Sequence, residues 1–446
     1  MKMTTTRFAP SPTGHLHLGN IRSCFLNWLL AKSQKGKFIL RFDDTDRERS
    51  EQIYIDGIKS DLEWLGIEYQ ESYFQSQRVD KYNTNFDTLL KLKLVYPCFE
   101  TNEELEIKKK LQSKSGQAPV YDRSALNLTQ TEIDNFYTNG LQPYWRFKLS
   151  RNKVKWNDLV KGNVEVNLAS QSDPVLKRAD GSFLYHFPSV VDDIDMNVTD
   201  IVRGEDHLTN TAIHIEIFEA LGASIPQFGH NPLMLNDDGT KLSKRNFDSI
   251  SIKKFREKNY LKESLLAYLH SIGLNHEINF KEIQEGVFEN FNLSKLSQNL
   301  PKLDIEKINY FQKIALRAMS LEDLVKNFST LSDLEMMESE WNLIKNNIET
   351  LEDIQLFIMI IRGEKNEKKA NEDFSVMIKT VFTESDSKLQ FDDYIAMINS
   401  HSKDFSKKDI FMNTRLILTG NVNGPSVKEL FNFFGIQALL EKANVS

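Results

Sequence analysis

The chain has 446 residues, 40 % hydrophobic and 27 % charged, a composition that excludes a disordered, collagenous or disulfide-stapled chain and fits about three domains at roughly 150 residues each. Its two cysteines, Cys24 and Cys98, are too few for a disulfide framework or a four-cysteine zinc site, so a reducing compartment, the cytoplasm, is expected; no apolar run approaches the roughly 20 residues of a membrane span, and the polar start carries no signal-peptide pattern. The formal charge of −7, from 56 basic and 63 acidic residues, argues against a basic nucleic-acid coat and by itself favours a metabolic enzyme with a small substrate.

Thr4 to Ala9 reads as a strand, after which Pro10, Pro12 and Gly14 punctuate a loop. Ile21, Phe25, Trp28 and Leu29 then recur at helical spacing, predicting a helix with one apolar face from about Gly19 to Lys32. Phe38-Ile39-Leu40 is a buried strand ending at Arg41-Phe42, so the first 40 residues form a βαβ unit and imply a parallel sheet of the nucleotide-binding kind. A second helix, roughly Glu51 to Leu65, stops at Gly66. Beyond about Lys81 the pattern becomes mixed: a charged helix over Cys98 to Lys114, a loop at 115–119, and short strands over Tyr144 to Leu149 and Val154 to Val166, with turns at Asn152 and Gly162. This reads as an insertion between two halves of one domain. Strand patterning returns at Val190-Val191 and Val198 to Val202, followed by a helix from Thr209 to Ala220 closed by Gly222.

From about Leu261 the chain is almost wholly helical, with candidate helices over Glu263 to Leu274, Leu321 to Phe328, Asp333 to Lys345, Leu351 to Ile361 and Phe391 to Asn399. The best linker candidate is Leu300 to Asp304, with Pro301. Residues 301–446 hold 18 basic and 23 acidic side chains, so most of the net negative charge lies in this last third.

The sharpest chemical signal is Arg7-Phe8-Ala9-Pro10-Ser11-Pro12-Thr13-Gly14-His15-Leu16-His17-Leu18-Gly19-Asn20. In an extended segment Arg7, Ala9 and Ser11 face one side, and a guanidinium there suits a carboxylate. His17 and Asn20 share a face at a helix start whose unpaired amides form a phosphate site, with Gly19 allowing close approach of backbone to a ligand. Some 220 residues later, Asp237-Asp238-Gly239-Thr240-Lys241-Leu242-Ser243-Lys244-Arg245 is a turn and basic loop suited to neutralising a triphosphate.

The two strings in this order resemble the HIGH and KMSKS signatures of class I aminoacyl-tRNA synthetases, with His17-Leu18-Gly19-Asn20 as the first. The flanking Ala-Pro-Ser-Pro-Thr-Gly is similar to the bacterial-type glutamyl-tRNA synthetases, as are Arg41-Phe42-Asp43-Asp44-Thr45-Asp46-Arg47, Tyr185-His186-Phe187-Pro188-Ser189-Val190-Val191-Asp192-Asp193 and Ile201-Val202-Arg203-Gly204-Glu205-Asp206-His207-Leu208. The resemblance implies an α/β Rossmann-type catalytic domain with an inserted α+β acceptor-end-binding subdomain, followed by an all-α anticodon-binding domain. The corresponding division is 1–81 and 183–250 for the two catalytic halves, 82–182 for the insertion, 251–320 for a stem-contact region and 321–446 for the anticodon-binding domain.

The same resemblance implies ATP-dependent ligation of L-glutamate to tRNA(Glu) through a glutamyl-adenylate, with Mg²⁺ and in most of this branch only when tRNA is bound. It assigns catalysis to His17, Lys241 and Lys244, glutamate binding to Arg7, Ala9, Ser11, Asp43, Tyr185, Ser189 and Arg203, and ATP binding to His15, His17, Gly19, Asn20, Asp206, Ser243 and Lys244. Asp44, Asp46, Arg415, Asn421 and Asn423 are candidate tRNA contacts, and basic patches at Arg362 to Lys369 and Lys403 to Lys408 are expected to offset the acidic tail. Tyr96-Pro97-Cys98-Phe99 and Tyr121-Asp122-Arg123 supply too few ligands for structural zinc, so no metal site is expected. A monomer is expected. Charging of tRNA(Gln), alone or as well, stays open as an alternative, as does a catalytically silent tRNA-binding paralogue.

Overall fold

The computed structural model describes residues 3–443, apart from 47–49, 117, 241, 243–247, 274–282, 284–290, 366–367 and 383–387. The chain divides into two compact units, Met1–Asp304 and Ile305–Ser446.

The first unit opens with β1 (Thr5–Phe8), α1 (Leu18–Ser33), β2 (Lys37–Phe42), α2 (Gln52–Leu65) and β3 (Glu71–Phe74). The three strands pair in parallel in the order β1-β2-β3, which the intervening helices make possible. Gly66, at φ 70°, ends α2 in the left-handed conformation that a glycine C-cap supplies. Then come α3 (Val79–Lys91), β4 (Val95–Cys98), α4 (Asn102–Lys114), α5 (Gln130–Thr138), β5 (Tyr144–Phe147), β6 (Lys153–Asp158), β7 (Gly162–Asn167) and β8 (Val175–Lys177). β4, β5 and β8 form an antiparallel sheet, and β6 and β7 a separate hairpin. After α6 (His186–Asp195), the strands β9 (Asp200–Gly204) and β10 (Gln227–Asn231) pair in parallel around α7 (Leu208–Ala220). Two short helices, α8 (Ile252–Glu257) and α9 (Lys262–Ser271), follow.

The two parallel ribbons meet at β1 and β9, where the Thr199 amide donates to the Thr5 carbonyl (2.9 Å) and the Thr5 amide to Thr199 Oγ1 (2.7 Å). α1 plugs this seam and is buried nearly all round, Arg22 and Asn27 included, rather than along one face. Asn27 acts as the staple: its Nδ2 donates to the Val202 carbonyl (2.7 Å), its Oδ1 accepts from the Val202 amide (3.1 Å), and its carbonyl accepts from Thr6 Oγ1 (2.8 Å). Open parallel sheets bind ligands at the carboxyl ends of the strands where strand order reverses, and here those ends carry Arg7, Asp43 and Arg203.

Several sequence expectations shift. Cys98 closes a strand, and the charged helix begins only at Asn102, where Thr101 and Glu104 form a reciprocal capping box. Val190 and Val191 lie inside α6, just beyond Pro188, which occupies the first helical turn where proline is tolerated. Cys98 is buried beside Tyr121, whose hydroxyl donates to Glu100 at 2.6 Å.

The second unit contains α10 (Ile305–Ala318), α11 (Leu321–Asn327), α12 (Glu338–Ile344), α13 (Leu351–Ile361), α14 (Glu372–Val381), α15 (Phe391–His401), α16 (Lys407–Thr419) and α17 (Val427–Ala443), the last kinked at Gly435. Asp333 to Lys345 is not one helix: Glu335 turns left-handed at φ 41° before α12 starts. The core holds Trp341, Phe374, Tyr394 and Phe431, with the last two rings 4.7 Å apart. Arg362 forms a two-pronged ion pair with Glu340, both contacts 2.8 Å, and therefore is not the free cation of a basic patch.

Candidate active site

A cavity of about 860 Å³ opens at the carboxyl ends of β1 and β9. Arg7, Ala9, Ser11, His15, His17, Gly19, Asn20, Asp43, Tyr185, Ser189, Arg203 and Asp206 all line it. Lys241, Ser243 and Lys244 lie outside the described residues, although Leu242 lines the cavity.

The first wall is the start of α1. His17 is its N-cap: Nδ1 accepts from the Gly19 amide (3.1 Å) while Asn20 Oδ1 accepts from the His17 amide (2.8 Å). A Cβ on Gly19 would sit 2.9 Å from the His17 ring, so this glycine makes room for the imidazole. Burial pushes His17 down to about 4. At neutral pH it is an uncharged ring whose accepting Nδ1 leaves the proton on Nε2.

The floor is a lattice of buried charge. Asp193 Oδ1 accepts from both Arg7 Nε (3.1 Å) and Arg41 Nη1 (2.7 Å), and Arg41 also grips Asp43 through Nε (2.7 Å) and Nη2 (3.3 Å). Behind it, Asp192 accepts from Arg78 Nε (2.6 Å), Gln75 (3.1 Å) and Tyr82 (2.9 Å). Desolvation works against the charge on Asp193, but Arg7 and Arg41 hold its carboxyl below the usual range. For Asp43 desolvation wins over Arg41 and raises the carboxyl to about 6. Arg41 and Asp193 escaped the sequence reading as site residues; alternation put Arg41 on the face of Asp43, but nothing local pairs residue 7 with residue 193.

Arg203 is different. Its Nη1 donates to the Tyr185 hydroxyl (3.1 Å) and its Nη2 to Thr211 Oγ1 (2.6 Å), and its guanidinium lies over the Phe228 ring. Among the described residues it has no carboxylate within ion-pair distance, and desolvation lowers its affinity for its proton. Its Nε and the second oxygen of Asp193 are buried without hydrogen-bond partners, as is Ser189 Oγ. Around Arg203 the site thus presents a cation without an ion pair, an orphan donor on that cation and an orphan acceptor on Asp193, which suits a ligand bearing both a carboxylate and an ammonium group.

The candidate tRNA contacts are dispersed. Asp44 is buried, with both oxygens taken by the Ser76 amide (2.8 Å) and hydroxyl (2.6 Å), and so organises its loop. Asp46 is half-buried. In the second unit Asn421 is buried and donates to the Lys365 carbonyl (3.3 Å), whereas Asn423 is exposed. Arg415 lines a groove of about 600 Å³ with Lys407, Lys408, Phe411 and Lys428; its Nη1 is buried without a partner and burial lowers its proton affinity.

Residues 3–310 match the model of the catalytic domain of class I tRNA synthetases (E and Q), and the chain belongs to that family. It is 40 % identical over 441 residues to glutamate–tRNA ligase 1 of Maricaulis maris (strain MCS10), covering 99 % of both chains. It is 39 % identical over 442 residues to glutamate–tRNA ligase 1 of Wolbachia pipientis subsp. Culex pipiens (strain wPip), covering 99 % of this chain and 98 % of the other. A solved glutamate–tRNA ligase from Elizabethkingia meningosepticum, in complex with its amino acid, superposes with a TM-score of 0.82 at 27 % identity, covering 100 % of this chain and 99 % of that one.

Proposed function

We propose that the protein ligates L-glutamate to tRNA(Glu) in an ATP-dependent, two-step reaction: the glutamate α-carboxylate attacks the ATP α-phosphorus to give glutamyl-adenylate and pyrophosphate, and the acyl group then passes to the terminal adenosine of tRNA. The observation that carries this reading is Arg203, a buried guanidinium held by two hydroxyls and an aromatic ring with no carboxylate beside it among the described residues. A glutamate side chain completes that charge balance; the neutral amide of glutamine leaves it open. Arg7 and Tyr185 flank the same side-chain carboxylate, while Asp43 and the free oxygen of Asp193 face the ammonium.

ATP is placed along the start of α1, where helix amides favour phosphate. His17, neutral and protonated on Nε2, donates a hydrogen bond to a phosphate oxygen instead of adding charge. Charge neutralisation falls to Lys244 and Lys241, and the site accelerates reaction by positioning and electrostatics. Among the described residues no cluster of three His, Cys, Asp or Glu side chains is placed to hold a metal ion; Mg²⁺ would be held by the triphosphate oxygens, its natural ligands, and would offset their charge.

Residues 82–182 are assigned to the tRNA acceptor end, 251–320 to the stem and 321–446 to the anticodon, with the Arg415 groove as the base-contacting surface. The decisive assay is tRNA-dependent pyrophosphate exchange with glutamate, glutamine or no amino acid. Exchange with glutamate alone is expected, and Lys244→Ala should abolish it while leaving tRNA binding intact; full activity in that variant removes the nucleotide-site assignment. Charging purified tRNA(Glu) and tRNA(Gln) side by side separates the strict enzyme from one that also charges tRNA(Gln).

A further inference from the structure

We propose that Asp158, His230 and Thr211 form a buried relay that fixes the direction in which Arg203 presents its guanidinium, making them positioning residues for amino-acid specificity. Asp158 is the last residue of β6, in the hairpin inserted between the two halves of the catalytic domain. Its Oδ2 lies 2.5 Å from His230 Nδ1; the other ring nitrogen, Nε2, lies 2.8 Å from Thr211 Oγ1; and Thr211 Oγ1 accepts from Arg203 Nη2 at 2.6 Å. Asp158 and His230 are 2 % and 0 % exposed, and Thr211 is fully buried.

The proton directions follow from the partners. Burial works against charge on Asp158, but hydrogen bonds from His230 and from the Lys161 and His230 amides hold it at about 2, so it is a permanent acceptor. His230 therefore carries its proton on Nδ1. Burial keeps the ring neutral, so Nε2 presents a lone pair and takes the Thr211 hydroxyl proton. That leaves the Thr211 oxygen free to accept from Arg203. The alternative acceptor for the hydroxyl proton, the His207 carbonyl, is farther at 3.2 Å. The other Nη of Arg203 donates to the Tyr185 hydroxyl (3.1 Å), which lies 3.1 Å from His207 Nδ1, a nitrogen that Asn210 Nδ2 also reaches at 3.1 Å. Each Nη is thus held by a hydroxyl that itself contacts a histidine.

Asp158 Oδ1 anchors the hairpin, accepting from the Val160, Lys161 and His230 amides, each at 3.0 Å. Oδ2 accepts from Trp156 Nε1 of the same strand (3.2 Å) and also runs through the His230 imidazole to Arg203, a cavity cation with no carboxylate within ion-pair distance among the described residues. An arginine without a carboxylate partner has no ion pair to orient it, and neutral hydroxyls orient it without cancelling the charge that selects glutamate.

The inference rests on the cavity being the glutamate site. It is tested with the full chain in tRNA-dependent pyrophosphate exchange, measuring KM for glutamate and for ATP separately. Thr211→Val keeps the shape and removes the hydroxyl. It should raise KM for glutamate about 10- to 100-fold, the effect of one charge-assisted hydrogen bond, narrow the preference for glutamate over glutamine, and leave KM for ATP unchanged; Thr211→Ser should restore the wild-type value. Equal glutamate KM in the valine and serine variants overturns the relay, as does a parallel rise in both KM values. A measurement on the unaltered protein stands apart from any folding defect: ¹⁵N NMR of histidine-labelled protein, assigned against His230→Gln, should show His230 as the Nδ1–H tautomer, and the Nε2–H tautomer overturns the relay. Wild-type protein that fails to exchange with glutamate refutes the function itself, independently of the relay.

Discussion

The cavity of the first unit and the Arg415 groove of the second both use cationic side chains, yet burial gives them opposite physics. In the cavity, Arg7 and Arg41 are 6 % and 1 % exposed and share Asp193; in the groove, Lys407 and Lys408 stand at the surface, and Arg415 alone is sunk between them. A desolvated lattice is rigid and little screened by salt, whereas surface cations act through a screened field. On the proposed reading, selection among amino acids belongs to the first kind of site, and the salt-dependent grip on a polyanion to the second.

The comparison breaks most visibly at Asp193. Asp193→Ala leaves two guanidinium groups buried without their common acceptor, and should cost roughly 3–5 kcal/mol of stability, read by denaturant unfolding, along with loss of glutamate activation. Next in size, Arg203→Ala should lower kcat/KM for glutamate by about 10²- to 10³-fold, with tRNA affinity unchanged at every salt concentration.

Acid sharpens the contrast further. His17, His186 and His207 are all lowered to about 4 by burial, chiefly in or beside the cavity. Their neutral forms stabilise the fold above the ordinary histidine value of 6.5, and that stability is lost as pH falls from 6.5 towards 4. Asp43 and Asp61, raised to about 6, act in the opposite direction, gaining stability as pH falls from 6 towards 3.8. His214 and His230 are lowered as well and Asp200 raised, so histidines outnumber the opposing carboxylates, and the melting temperature should fall on acidification from 7 to 4. The Asp43→Asn variant, which removes one opposing group, should fall more steeply.

The smallest expected effect is in the groove. Arg415→Ala should weaken tRNA binding and reduce the slope of log K against log salt by about 1, without altering KM for glutamate.

Much of the cavity was legible because its chemistry sits in local strings: the turn at 9–17, the end of β2 and the end of β9 each carry their lining residues within a few positions. Non-local items were not. Asp193 matters through Arg7, 186 positions away, and α1 is buried on all sides because it fills the seam between two ribbons, which its own periodicity does not record. Thr211 and His230 look like ordinary helix and strand residues until the fold brings them to Arg203. In the second unit, charge counting pointed to Arg362, which Glu340 neutralises, and the family resemblance to Asn421, which the fold buries. Net charge misled for the same reason: −7 says nothing about which cations are paired.

The seam between β1 and β9 also carries a consequence for biosynthesis. Thr5 and Thr199 are separated by 194 positions, so at roughly 5–20 residues per second the ribosome adds the second ribbon on the order of 10–40 s after the first. Throughout that interval β1 shows a bare strand edge, and Arg7 waits for Asp193. Those seconds, and not the finished fold, are when the edge of β1 is open to wrong pairing.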